Sequence, residues 1–175
     1  HNLHGHQLNV QVNERDGSGY NTVHAGKDML MVADPRYIAI DLKYGPDGAV
    51  YINDWYDTQH CHNPNAEQWE RGTGRMYRIQ YEATYEATLV NLSRKSDREL
   101  AWLQLHQNAW FARTARRLLQ ERSVKGEISS DALEVLRNMS VEHANENRRL
   151  RAFWALHVIG GVQGNDWLTY LRDES

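Results

Sequence analysis

Ile38-Ala-Ile-Asp-Leu-Lys-Tyr-Gly-Pro-Asp-Gly-Ala-Val-Tyr-Ile-Asn-Asp-Trp-Tyr-Asp57 reads as two β-strands joined by a tight turn. Ile38, Ile40 and Leu42 alternate with Ala39, Asp41 and Lys43, the period of two of a strand with one buried face. In the turn, Pro46 presets φ, Asp47 bonds its own backbone, and Gly48 supplies a positive φ. Ala49, Tyr51, Asn53 and Trp55 then alternate with Val50, Ile52 and Asp54, so the returning strand delivers Asp54 and Asp57 at its far end. The hairpin is scaffold, and its far end collects polar groups.

Working outward, Leu8 to Val12 alternates apolar and polar residues, Asp16-Gly-Ser-Gly19 marks a turn, and Tyr20 to His24 returns as a second strand. The short apolar run Met29 to Val32 is a further strand or a loop, closed by Asp34-Pro35, where the proline disfavours continuation. After a polar stretch from Asp57 to Thr73, Gly74-Arg-Met-Tyr-Arg-Ile79 alternates again. Short strands separated by turn signals predict an antiparallel β unit over residues 1–82, one blade-like sheet with Val50 and Ile52 inside.

A connector over residues 83–96 leads to a change of period, from two to about 3.6. Ser96-Asp-Arg-Glu99 is a capping box, followed by Leu100, Leu103 and Trp102 on a helix ending near His106. Asn108 caps a second helix carrying Phe111, Ala115, Leu118 and Leu119, which Gly126 stops. Ser130-Asp131 opens a third with Leu133, Val135, Leu136 and Met139. Asn145 opens a fourth with Leu150, Phe153, Trp154, Leu156, His157 and Ile159, ended by Gly160-Gly161. The first and third helices start about 34 residues apart, and Ala115 and Leu119 recur as Ala152 and Leu156. This spacing predicts stacked helix pairs, a HEAT-like α-helical repeat region over residues 97–175; the alternative is a plain four- or five-helix bundle.

Composition limits what the chain does. Its 175 residues carry a formal net charge of −3 and one cysteine, Cys61, which excludes an internal disulfide and a Cys-x-x-Cys-His haem attachment. No apolar run approaches the length of a membrane-spanning helix, and His1-Asn-Leu-His-Gly-His6 lacks the build of a signal peptide. A start inside a His-rich segment and a stop at Arg172-Asp-Glu-Ser175 read as a piece of something longer. Lys and Arg exceed Asp and Glu over residues 93–125, but Arg113, Arg116, Arg117 and Arg122 carry no interleaved aromatics for base stacking. They read as a solvated helix face, and nucleic acid is not expected as a partner.

Gly45 to Asp57 followed by Gly74 to Ile79 resembles the closing blade of six-bladed β-propellers of the glucose/sorbosone-dehydrogenase-like class. More narrowly, His4-Gly-His6 with Leu8-Asn9, Arg15-Asp-Gly-Ser-Gly19, Asp54-Trp-Tyr-Asp57 and Cys61-His62 resembles the large "membrane-bound dehydrogenase" proteins of planctomycete-type bacteria. The resemblance covers nearly the whole chain. It implies a propeller followed by HEAT-like repeats and often a c-type cytochrome domain. It further implies a periplasmic or secreted protein that oxidises a sugar or alcohol and passes electrons to that cytochrome. A metal ion or quinone would then serve the propeller, with haem c in a separate domain, and this piece alone would be inactive. The alternative is a non-catalytic interaction scaffold built from the same parts.

Within the sequence, His4 and His6 are two apart, as are His60 and His62, a spacing that in extended backbone places each pair on one face and can chelate a metal. With Asp54 and Asp57 they form the candidate metal-ligating set, and Cys61 is a candidate reactive thiol. The competing reading is that the loop histidines and Asp54 simply bond backbone. No Ser-His-Asp order, phosphate-cradling glycine loop or zinc-protease helix motif accompanies them, so neither catalytic base nor substrate is named.

Overall fold

The turn at the centre of the hairpin closes through two backbone bonds, Gly45 N to Ala49 O at 2.9 Å and Gly48 N to Gly45 O at 3.2 Å. Gly48 has φ 76°, the left-handed residue that completes a three-residue hairpin loop. Asp47 braces it, accepting from Ala49 N at 3.1 Å and from the Tyr51 hydroxyl at 2.7 Å. A Cβ on Gly45 would sit 2.7 Å from the Asp47 carboxylate and 2.9 Å from the Tyr51 ring, so a larger residue there would push that brace aside.

The computed structural model describes residues 5–59, 70, 72–126 and 128–173. They divide into two units, His1–Glu86 and Ala87–Ser175. Among the described residues, small antiparallel sheets are accompanied by five α-helices.

In the first unit, β1 (Gln7–Leu8) pairs with β4 (Leu30–Met31), and β2 (Gln11–Asp16) pairs with β3 (Gly19–His24). A three-stranded antiparallel sheet runs in the order β5 (Ala39–Tyr44), β6 (Val50–Asp54), β7 (Arg75–Ile79). The strands thus form three sheets where the sequence predicts one, and Leu8 to Val12 is two strands rather than one. The reason is the distribution of apolar residues. Leu8 is buried and joins Tyr37, Ala39 and Ile52 in a core completed by Leu30, Val32, Val50, Tyr77 and Ile79. Every residue of β2 and β3 is exposed, Val12, Tyr20 and Val23 included, and none of them belongs to that core.

β5 departs from the expected alternation, and Leu42, expected inside with Ile38 and Ile40, is 41% exposed. A bulge between Ala39 and Asp41 places Ile38 and Ala39 both inside and leaves Ile40 45% exposed. On β6 the expected face holds: Ile52 and Asp54 are buried and Val50 half-buried, with Ile52 opposite Tyr77 and Val50 opposite Ile79.

In the second unit, a single 3₁₀ turn at Leu92–Arg94 buries Leu92 in the helical core, so part of the expected connector belongs to that core. Helix α1 (Asp97–Trp102) starts at the predicted capping box, with Glu99 N bonding Ser96 Oγ at 3.3 Å and Ser96 N bonding Glu99 Oε2 at 2.8 Å. That amide, with Lys95 and the Ser96 hydroxyl, holds Glu99 down at a pKa of about 2. A tighter turn, Leu103–Leu105, carries the chain on to His106. Then follow α2 (Ala109–Ser123), α3 (Ser130–Glu142), α4 (Glu146–Val158) and α5 (Asp166–Leu171). Asn108 and Asn145 cap α2 and α4 through their side chains, and Gly126 and Gly160 follow α2 and α4 at φ 76° and 72°.

The helices pack in a regular way: α1 on α2, α3 on α4, α1 on α3 and α2 on α4. Ala101, Ala115, Ala132, Ala152 and Ala155 sit at the contacts, fully buried, with Leu100, Leu119, Leu136 and Leu156 between them. Trp102, Leu150 and Trp154, expected on inner faces, are instead 49%, 42% and 43% exposed; on α4, Leu150 and Trp154 lie on the side of the helix away from buried Ala152.

Leu136→Ala should lower the stability of the helical unit by about 2–5 kcal/mol, the range for truncating a fully buried leucine. Val12→Ala on exposed β2 should change stability by no more than about 0.5 kcal/mol. Urea unfolding followed by circular dichroism checks both.

Candidate functional site

The returning strand β6 ends at Asp54, which is buried at 1% exposure. Its Oδ1 accepts from Ile38 N at 2.7 Å and from Tyr56 N at 3.0 Å. One carboxylate therefore bridges the entry to β5 and the exit from β6, where the ladder no longer supplies partners; leaving such a buried amide without an acceptor costs about 1–3 kcal/mol. The hairpin's register continues past it, with Trp55 N donating to Ile38 O and Asp57 N to Arg36 O.

Between the two aspartates Tyr56 adopts φ 51°, a strained conformation for a tyrosine. Its surroundings hold it there. Its carbonyl accepts from Thr73 Oγ1 at 2.8 Å, and the Arg75 guanidinium lies 3.4 Å from its ring centroid. Asp57, fully buried, accepts from Gln59 N at 3.0 Å, Glu70 N at 2.9 Å and Trp55 Nε1 at 3.1 Å. Those donors, the Gln59 amide foremost, hold the Asp57 carboxyl below the usual carboxylate range. Arg36 Nη2 reaches Glu70 Oε1 at 2.6 Å, tying the segment before β5 to the far side of the polar stretch.

Of the candidate ligands, His6 lies with Nδ1 2.6 Å from the Tyr37 carbonyl, a backbone contact. Asp54 and Asp57 are brought close in one loop, both turned toward amides. His4, His60, Cys61 and His62 lie outside the described residues. Among the described residues, no three His, Cys, Asp or Glu side chains are grouped to hold a metal ion. The Tyr37 hydroxyl is pushed above the usual phenol value, by burial and then by the Asp54 charge, so it stays protonated and is no base.

Sequence reasoning missed Arg36, Glu70, Thr73 and Arg75, the side chains that bind this loop from a distance. No short-range pattern marks them, since Arg36 and Glu70 meet across most of the sheet's length of chain.

Because Asp57 titrates lower folded than unfolded, its contribution to stability is complete above the ordinary carboxylate pKa of about 3.9. It is lost as pH falls through the lower folded value. Acid titration followed by tryptophan fluorescence, to which Trp55 contributes through its bond to Asp57, should show this loss. Asp57→Asn should be less stable at neutral pH and lack that acid step.

Comparison with protein-family models, with curated proteins and with solved structures finds no match to this chain.

Proposed function

We propose that the chain is the scaffold and docking part of a propeller-type dehydrogenase-like protein, supplying structure and a binding surface while the reacting groups lie elsewhere in a larger protein. In this reading the β unit is a propeller blade and the helical unit a run of HEAT-like repeats. The whole protein oxidises a sugar or alcohol in the periplasm or outside the cell and passes electrons to a c-type cytochrome.

The observation that carries the scaffold reading is the packing of the helices, in which α1 and α3 form one row and α2 and α4 a second. Each pair buries a stripe against the next, the arrangement that lets repeats extend a continuous surface. The β unit adds a second support. Its two described carboxylates at the strand end are held by backbone amides, so they are anchors of a loop rather than groups poised to react. The exposed β2–β3 hairpin, with Val12 and Val23 uncovered, fits a strand pair that completes a larger sheet.

Among the described residues no three His, Cys, Asp or Glu side chains are grouped to hold a metal ion, and Asp54 Oδ1 and the Asp57 carboxylate accept backbone amides. Haem has no attachment motif in this chain, where Cys61 stands alone. No helix among the described residues is long and apolar enough to cross a membrane.

Dye-linked oxidation assays with a panel of sugars and alcohols test the proposal. The full-length, cofactor-loaded protein should reduce the dye with at least one substrate, and the 175-residue chain with none. A folded, loaded full-length protein inactive across the panel refutes the dehydrogenase reading, and turnover by the chain alone refutes the scaffold reading.

A further inference from the structure

Helices α1 and α3 pack on each other, and a groove of about 460 Å³ opens along them. Leu105, Val135 and Met139 line it with side chains that also pack in the helical core. Trp102 of α1 lines the same groove, yet it is half exposed and belongs to no core cluster. An indole placed this way offers a flat apolar surface with a cation-attracting face.

The charged lining is mostly acidic, with Asp131, Glu134 and Glu142 against Arg98 and His143. Arg98 reaches Asp131, at 4.0 Å, and His143 Nδ1 accepts the Asn145 amide at 3.0 Å. Among the described residues, the side chains of Glu134 and Glu142 enter no ion pair and no hydrogen bond. Arg137, about one turn from Glu134, is directed instead to the Gly161 carbonyl at 3.2 Å. Helix α3 ends at Glu142 with no basic residue in its last turn, so that carboxylate sits where the final carbonyls already gather negative charge. The chain's own cations leave both carboxylates unanswered beside an exposed indole.

Spacing selects the ligand. Glu134 and Glu142 are both in the groove lining and lie about 12 Å apart along the α3 axis. That is too far for the two to share one metal ion, and among the described residues no three such side chains are grouped for one. It is the span of about four residues of extended peptide, in which side chains at even intervals point the same way.

We propose that the α1–α3 groove binds an extended segment of a partner protein carrying two arginine or lysine side chains four residues apart. Their charges meet Glu134 and Glu142, and their stems cover Trp102. This deepens the docking reading above, on which it rests, by naming the partner's chemistry. The same carboxylates repel the phosphates of a nucleic acid.

The test uses the 175-residue chain and fluorescence anisotropy with three short labelled peptides on a serine background. One carries two arginines four apart, the next carries them adjacent, and the last carries two glutamates four apart. The first should bind, with affinity falling as salt rises. The second should bind at least about threefold more weakly, because only one carboxylate is in reach, and the third should not bind. Glu134→Gln and Glu142→Gln should each weaken binding of the first peptide about threefold, the scale of one exposed ion pair. The double variant should weaken it about tenfold, since sites this far apart act independently. Glu121→Gln, which removes a carboxylate paired with Arg117 on α2, should leave binding unchanged. The proposal is overturned if the first peptide does not bind, if its binding ignores salt, if adjacent arginines or the glutamates bind as tightly, or if the double variant binds like the parent chain. The salt and spacing arms use the unaltered chain and stand whatever the variants do. None of these outcomes touches the dye-linked assay, which judges the scaffold and oxidoreductase readings separately.

Discussion

The Asp54 carboxylate, buried at the end of β6, accepts the amides of Ile38 and Tyr56 and so joins the chain entering the sheet to the chain leaving it. The constraint behind it is general. Where a ladder stops inside a protein, its amides still need acceptors, and water is not there to serve. Asp57 meets the same need one step on, for Gln59 and Glu70, and Asp47 meets it in the turn at the sheet's other end. The strained Tyr56 is tolerated because its neighbours on both sides are fixed in this way.

The helical unit solves the same problem with the same side chain. Asp97, in the first turn of α1, accepts from Ser129 N at 2.9 Å just before α3 and from Arg122 near the end of α2. Arg122 continues to the Ser93 carbonyl, so one ion pair fixes three helix termini and the turn before them. At the opposite polarity, Arg148 and Arg151 of α4 both donate to the His106 carbonyl, at 2.7 and 3.0 Å, satisfying an acceptor beyond the first helical segment. Smaller ties fasten α5: Ser140 bonds the Tyr170 hydroxyl, and Arg149 grips Asp173 with two bonds. Gln104 is fully buried and bonds the Ala112 carbonyl, locking the turn before α2 against that helix.

Much of this was legible in the residues where local chemistry decides. The Pro46-Asp47-Gly48 turn, the Ser96–Glu99 capping box, the asparagine caps and the glycine stops each act within a few residues, and they appear where the spacing places them. What was not legible depends on distance. Alternation through Ile38 to Lys43 gives no sign of the bulge that exposes Ile40, since that bulge answers to pairing with β6. Trp154 lies about half a turn from Ala152 and Leu156, buried residues of α4, so the phase that buries those two turns it outward. Asp54 stands at the strand end that alternation gives it and accepts the Tyr56 amide of the following loop, the backbone-bonding reading, while its other donor, Ile38, lies on the paired side beyond any short window. Arg116 of α2 stacks on Trp154 of another helix, a contact absent from any short window of sequence.

The central claim, that aspartates in this chain serve as fixed acceptors for backbone amides, is tested most directly by site-resolved amide hydrogen exchange. The amides of Tyr56, Gln59 and Ser129 belong to no strand or helix ladder, yet each donates to an aspartate. The account predicts that they exchange on the order of the rate of core ladder amides in their own units, such as Ile52 and Leu136. Exchange of all three at the rate of open loop amides, with Ile52 and Leu136 still protected, would contradict it.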